Sequence, residues 1–158
     1  MKYVILMLAL MFSTNAFAQS NCYNASEFEA EQGLRIHSEL MVVSLNCQHM
    51  NHVNGNLYMQ YKDFTRRHAG LIARYESTMK DYYTRTGASN PESDVNALRT
   101  QMANKIANDA ARMKPNVFCK AYGNRIIQAL SMDEAKLRRW AATPFRGHPV
   151  SHPMCTAG

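Results

Sequence analysis

The chain has no Cys-x-x-Cys pair, no Gly-x-Ser-x-Gly elbow, no glycine-rich phosphate loop and no His-Glu-x-x-His segment. These absences remove the usual dithiol redox, serine hydrolase, nucleotide and zinc-protease signatures. Carboxylates are scarce, with 12 Asp and Glu against 18 Lys and Arg. Glycoside hydrolysis needs two carboxylates across a cleft, and no pair at a telling spacing is visible. There are no internal repeats and no low-complexity tracts. Only one tryptophan is present, Trp140. No cofactor motif and no specific nucleic-acid motif occurs, so neither kind of partner is expected.

What is present begins with an export signal. Lys2 gives a positive start, Tyr3 to Phe12 is a ten-residue apolar run, and Ala16-Phe17-Ala18 has the small-x-small form of a cleavage site. Ten apolar residues fall short of the roughly 20 that span a bilayer. Residues 1–18 are therefore expected to be removed, leaving 140 residues with no second run of spanning length. That is one domain. Lys2 leaves with the signal, taking the formal charge from +6 to +5. A moderate positive charge favours anionic neighbours. All four cysteines, Cys22, Cys47, Cys119 and Cys155, fall after the cut, and an even count in an oxidising compartment implies two disulfides.

Helical periodicity dominates residues 19–143. The first helix is expected from Ser26, as its cap, to His49, with Leu40-Met41-Val42-Val43-Ser44-Leu45 apolar almost all round. Such a helix belongs at the centre of a bundle. Asn54-Gly55-Asn56 signals a turn. A second helix is expected from Leu57 to Thr86. Leu57, Tyr61, Phe64, His68, Leu71, Tyr75, Met79 and Tyr82 form its apolar stripe, and Gly87 lies just past its end. Ser89-Asn90-Pro91 opens a third, whose inward face is Val95, Leu98, Met102, Ile106 and Met113. Pro115 starts a fourth with Val117, Phe118, Tyr122, Ile126, Ile127 and Leu130 as its apolar set. Ser131-Met132-Asp133-Glu134 reads as a capping box opening a short fifth helix that ends near Ala142. Prolines 144, 149 and 153 with Gly147 make residues 144–158 an irregular Pro/His-rich tail. The fold expected is all-α: an antiparallel bundle of four main helices plus a short C-terminal one.

Alternating up and down, the first helix ends where the fourth begins. That favours Cys47–Cys119 and Cys22–Cys155. Cys22–Cys47 remains the rival if the first helix bends back or starts late.

Leu34-Arg35-Ile36-His37-Ser38-Glu39-Leu40-Met41-Val42 followed by Cys47 resembles the first helix of a family of small secreted, cysteine-containing, all-helical proteins found mainly in alphaproteobacteria. Tyr61-Lys62-Asp63-Phe64-Thr65-Arg66-Arg67-His68, Thr100 to Ala107 and Phe118-Cys119 are similar to its later helices. The resemblance covers about residues 22–125, leaves out the tail, and implies an all-helical envelope protein. It carries over no catalytic residue.

Three chemistries have residues behind them. Lys62, Arg66, Arg67 and Arg74 make a basic face on the second helix, and Arg138-Arg139-Trp140 adds two cations beside an aromatic ring. Together they suit an anionic envelope component or a protein partner. His148, His152 and Met154 in the tail offer nitrogen and sulfur donors for copper or zinc, and His49 with His52 offers a thinner set. Cys155 is unavailable as a thiolate if it is oxidised. Most of the methionines after the cut (Met41, Met79, Met102 and Met113 among them) fall at helical spacing and read as core filling, and His37 and His68 as core or boundary histidines. Glu76-Ser77 resembles the glutamate-serine pair of lytic transglycosylases, but the Gly-Leu-Met-Gln segment those enzymes carry downstream is missing. The leading expectation is an exported, non-enzymatic, periplasmic or secreted protein that binds an anionic envelope component or a protein partner. The alternative is a periplasmic copper or zinc protein.

Overall fold

Asn24, not Ser26, starts the first helix. Its Oδ1 accepts from the Glu27 amide at 2.9 Å, and the Glu27 carboxylate accepts the Asn24 N–H at 2.8 Å. This reciprocal box begins the helix one residue before Ser26, whose hydroxyl only supports the Asn24 side chain. The computed structural model describes residues 21–52, 55–145 and 147–156. The expected signal, residues 1–18, lies outside them, as does the His52 side chain.

Helix α1 spans Ala25–Asn46. A two-residue antiparallel hairpin follows, β1 at Asn51–His52 and β2 at Gly55–Asn56. Gly55 has φ of 96°, a conformation other residues rarely adopt. The expected second helix is two helices, α2 at Leu57–Arg67 and α3 at Ala69–Arg85. His68 separates them with φ −105° and ψ 14°. Its N–H still donates to Phe64 O and its carbonyl accepts from Ile72 N, both at 3.0 Å. The chain therefore bends without leaving the helical path. Every residue of the expected stripe stays buried through the bend. Both helices pack on α1, while α2 also meets α6 and α3 also meets α4.

Helix α4 spans Pro91–Arg112, with Asn90 accepting from the Ser93 amide at 3.1 Å. The expected fourth helix also divides, into α5 at Pro115–Tyr122 and α6 at Asn124–Leu130. Gly123 between them is closely packed: a Cβ there would stand 2.7 Å from Cys119 O and 3.0 Å from Leu57 Cδ1. Val117, expected to face inward, is 48% exposed. Helix α7 spans Glu134–Ala141 and is capped by Asp133, which accepts from the Lys136 amide at 2.7 Å. Ser131 is no N-cap; its hydroxyl donates to Gln128 O at the end of α6.

α1 lies at the centre, packed chiefly against α3 and α4 and also touched by α2, α5, α6 and α7. At Gly33 it lies tightly against α3, where a Cβ would fall 2.1 Å from the Tyr75 ring. Leu34, Leu40 and Val43 of α1 meet Phe64, Met79, Ile106, Phe118 and Ile126 in one core. The architecture is the expected all-α bundle. Both expected disulfides close, Cys47–Cys119 with Cα atoms 5.6 Å apart and Cys22–Cys155 with 4.9 Å. Among the described residues no helix is long and apolar enough to cross a membrane.

Candidate functional site: a charged cleft under the C-terminal strap

The central helix buries charge as well as apolar surface. Glu31 and Arg35 are 2% and 6% exposed, and Glu39 continues the row one turn on. Steps of four put these three side chains along one line of the helix. Gln32, Arg35, Ile36 and Glu39 share a face that opens into a cavity of about 270 Å³. Arg125 and Gln128 of α6 form another side, and Trp140 of α7 and Phe145 an aromatic wall. Trp140 is half-buried against the core, and Phe145 is 52% exposed.

Arg35 gives one guanidinium N–H to Gln32 Oε1. Its Nη2 lies 3.8 Å from Glu31 Oε1, is covered by protein, and makes no hydrogen bond. Burial draws the Arg35 pKa down while Glu31 and Glu39 oppose that, and a guanidinium keeps its charge. Across the cleft, Arg125 donates to Glu39 Oε2 at 3.2 Å, and its guanidinium lies 4.9 Å from the Tyr122 ring centroid. His148 Nδ1 is 3.2 Å from Glu39 Oε1 without the alignment of a hydrogen bond. Burial raises the Glu39 pKa, opposed by Arg125, Arg35 and Lys105. Burial lowers that of His148, and the positive charges of Lys105, Arg35 and Arg125 push it further down against Asp109.

The tail forms the fourth side. It is irregular, as expected, but it is strapped down. Lys105 Nζ donates to Gly147 O at 3.0 Å and Gln32 Nε2 to His148 O at 3.3 Å. The Ser151 amide reaches both Glu31 oxygens, at 2.9 and 3.1 Å, and its hydroxyl adds a third contact. Tyr23 N donates to Pro153 O at 2.8 Å and Cys155 N to Tyr23 O at 2.9 Å, beside the Cys22–Cys155 bridge. A buried carboxylate receiving two donors in three contacts is well compensated.

The strap separates the residues expected to bind metal. His148 faces Glu39 in the cleft. The His152 ring packs against Tyr23 and Tyr82, with centroids 5.2 and 5.3 Å away. Met154 is exposed, and Cys155 is oxidised. Among the described residues no group of three or more His, Cys, Asp or Glu side chains is placed to hold a metal ion.

The expected basic face is largely engaged with the protein itself. Arg66 pairs with Asp63 at 3.1 Å and Arg74 with Glu134. Arg67 donates to Leu130 O at 2.5 Å. Lys62 sits 5.8 Å from the Tyr58 ring centroid. Arg138 grips Glu29 with two donors, at 2.7 and 3.1 Å, holding that carboxyl below its usual range. Arg139 is exposed. Of the residues expected to meet an anion, only Trp140 lines the cleft. The cleft's own charged groups, Arg35, Glu39 and Arg125, were not singled out by sequence. The available signal was the four-residue spacing Glu31-x-x-x-Arg35-x-x-x-Glu39 leading into the apolar second half of the helix. A wider depression of about 530 Å³ beside α4 has Asp94 as its one charged lining residue and is no anion site. No family model, no curated protein and no solved structure matches this chain.

Proposed function

We propose that this protein is exported and acts by binding an anionic partner, with no catalytic chemistry of its own. The observation that carries the reading is the meeting of Arg35 and Arg125 at one cleft with His148 and an aromatic wall. Both guanidiniums stand on the lining, Arg125 beside Glu39 at 3.2 Å and Arg35 with Glu31 behind it at 3.8 Å. The binding surface is thus this cleft rather than the face of Lys62, Arg66, Arg67 and Arg74. The signal-like residues 1–18 and two closed disulfides support export to an oxidising compartment. Against catalysis, the one hydroxyl side chain on the lining, Thr143, donates to Arg139 O at 2.8 Å, and Glu39 is held by Arg125.

The test is recovery of the mature protein after expression of the full chain, followed by capture from envelope extracts at physiological salt. A mass lacking residues 1–18, no free thiol, and retention of anionic material that Arg125→Gln loses are the expected results. A cytoplasmic protein with its leader intact, or no retained anion, overturns the reading.

A further inference from the structure

We propose that the cleft between α1, α6, α7 and the strap holds one uncharged pyranose ring of a glycan. This rests on the reading of that cleft as the binding surface and names what enters it. The acid groups of the partner then stay at the solvent edge, where the Arg125 side chain is partly open.

Charge decides what enters. Among the described residues the ions around the cleft pair off. Arg125 donates to Glu39 at 3.2 Å, and Arg35 has Glu31 behind it at 3.8 Å. Lys105 and Asp109, the other charges acting on Glu39, are again one of each sign. An ion brought into this space would compete with pairs already made, and breaking a buried pair is costly. A neutral ligand leaves them intact. Hydrogen-bonding capacity remains beside those pairs. Glu39 Oε1 accepts no aligned hydrogen bond, and the Gln128 amide on the lining is exposed. Arg125 keeps N–H groups beyond the one it gives to Glu39, and the Thr143 hydroxyl, donating to Arg139 O, can still accept. Acceptor, amide and guanidinium together suit a ligand whose polar groups each donate and accept, which is what hydroxyls do. A purely apolar ligand would strip water from these groups and give nothing back.

The wall decides the body of the ligand. Trp140 and Phe145 put ring surface on the same lining as the polar groups. A pyranose has an apolar face of C–H bonds and a rim of hydroxyls, so its face can lie on an aromatic ring while its rim meets the polar side chains. Size agrees. A cavity of about 270 Å³ lies just under the roughly 300–1,000 Å³ of ligand pockets, which is room for a single ring and not for several. The Lys105–Gly147 and Glu31–Ser151 contacts hold the strap, so the site is formed before the ligand arrives.

Trp140 is the only tryptophan, so tryptophan emission reports on this cleft. The protein, with both disulfides closed, is titrated with the methyl pyranosides of glucose, galactose and mannose and with N-acetylglucosamine. At least one is expected to give a change that saturates in the millimolar range. Sorbitol has the hydroxyls without the ring, and cyclohexanol has the ring without the hydroxyl rim. Both are expected to give none, as are phenethylamine and inorganic phosphate. Gln128→Ala, at an exposed position, and Arg125→Gln, with helix content checked by circular dichroism, are expected to weaken the responding sugar about fivefold or more. Arg112→Gln, on α4 and outside the lining, is expected to leave it unchanged. A lack of saturable response to every pyranoside overturns the proposal. An equal response to sorbitol, cyclohexanol, phenethylamine or phosphate does so too, as does binding undiminished in both cleft variants. If the pyranosides fail while anionic envelope material is still retained, the sugar assignment falls and the anionic reading stands. If a pyranoside binds and no anionic material is retained, the anionic reading falls alone. If neither is seen, both fall.

Discussion

The two ends of α1 are closed by disulfides in opposite surroundings. At its C-terminal end Cys47 and Cys119 are both buried, among Val43, Leu57 and Phe118. At its N-terminal end Cys22 and Cys155 are half-exposed, and their neighbours are polar or aromatic. There Glu27 takes a 2.8 Å contact from Arg85, Glu31 holds Ser151, and Tyr23 and Tyr82 pack on His152. Burial of apolar surface is non-directional and tolerates modest changes of shape. Paired polar burial is directional, and each half is costly without the other. The second end is thus the one whose geometry is specified residue by residue, and the cleft grows out of it.

The largest expected effect separates the two bridges. Their cysteines lie 72 and 133 residues apart, so chain entropy alone gives each about 4–5 kcal/mol, slightly more to the second. The surroundings argue for the reverse order. Cys47→Ala/Cys119→Ala unties two core helices and should cost about 4 kcal/mol in urea unfolding. Cys22→Ala/Cys155→Ala unties a segment able to detach by itself. Its global midpoint should fall less, while hydrogen exchange at Ser151 and Cys155 becomes fast. A larger global loss for the tail bridge would show that the strap belongs to the cooperative core.

Next comes pH, acting at the middle of the helix. His37 lies between the two regimes, its Nε2 3.0 Å from the Tyr61 hydroxyl and its ring buried. Burial, helped by the nearby Arg99 charge, holds its pKa down to about 4. The unfolded chain takes up this proton near pH 6.5 and the folded one only near 4, so the unfolded state binds more protons between those values. Stability from this residue is complete above about pH 6.5, declines as pH falls, and is lost through about pH 4. The total is on the order of 3 kcal/mol. His37→Gln should flatten the stability profile across that window, and an unchanged slope would assign the acid sensitivity elsewhere.

These contrasts also explain what could be read beforehand. The apolar end was legible because periodicity reports it: the stripe from Leu57 to Tyr82 is buried at every position. Helix order then favoured the cysteine pairing that closes, over the rival Cys22–Cys47. The breaks at His68 and Gly123 were not legible, since both leave the helical hydrogen bonding nearly continuous and Gly123 answers to a contact with Leu57. The caps at Asn24 and Asp133 were displaced because Ser26 and Ser131 offer the same chemistry nearby. The cleft was the least legible part. Arg35, Arg125 and His148 meet only after the fold is complete, over separations that no local pattern encodes.

A smaller effect probes how the strap is held. Glu31→Leu removes the acceptor of the Ser151 amide and the nearest carboxylate to Arg35 Nη2. We expect a loss of about 2 kcal/mol and faster exchange of the Ser151 amide, whereas Glu31→Gln keeps an acceptor and should lose less. If Leu is tolerated as well as Gln, the strap is held by its disulfide and backbone contacts alone.

The smallest effect belongs to the face that sequence favoured. Arg66 and Asp63 are a turn apart on α2, with side chains 85% and 57% exposed. Water and salt screen such a pair, and ordering two long side chains offsets much of the attraction. Arg66→Ala should therefore change unfolding free energy by no more than about 0.5 kcal/mol. It should also leave capture of anionic material unchanged, because the pair lies outside the cleft. That second reading matters more than the first. Should Arg66→Ala abolish capture while Arg125→Gln spares it, the partner would lie on the α2 face, and the polar end of α1 would be a structural device with no ligand.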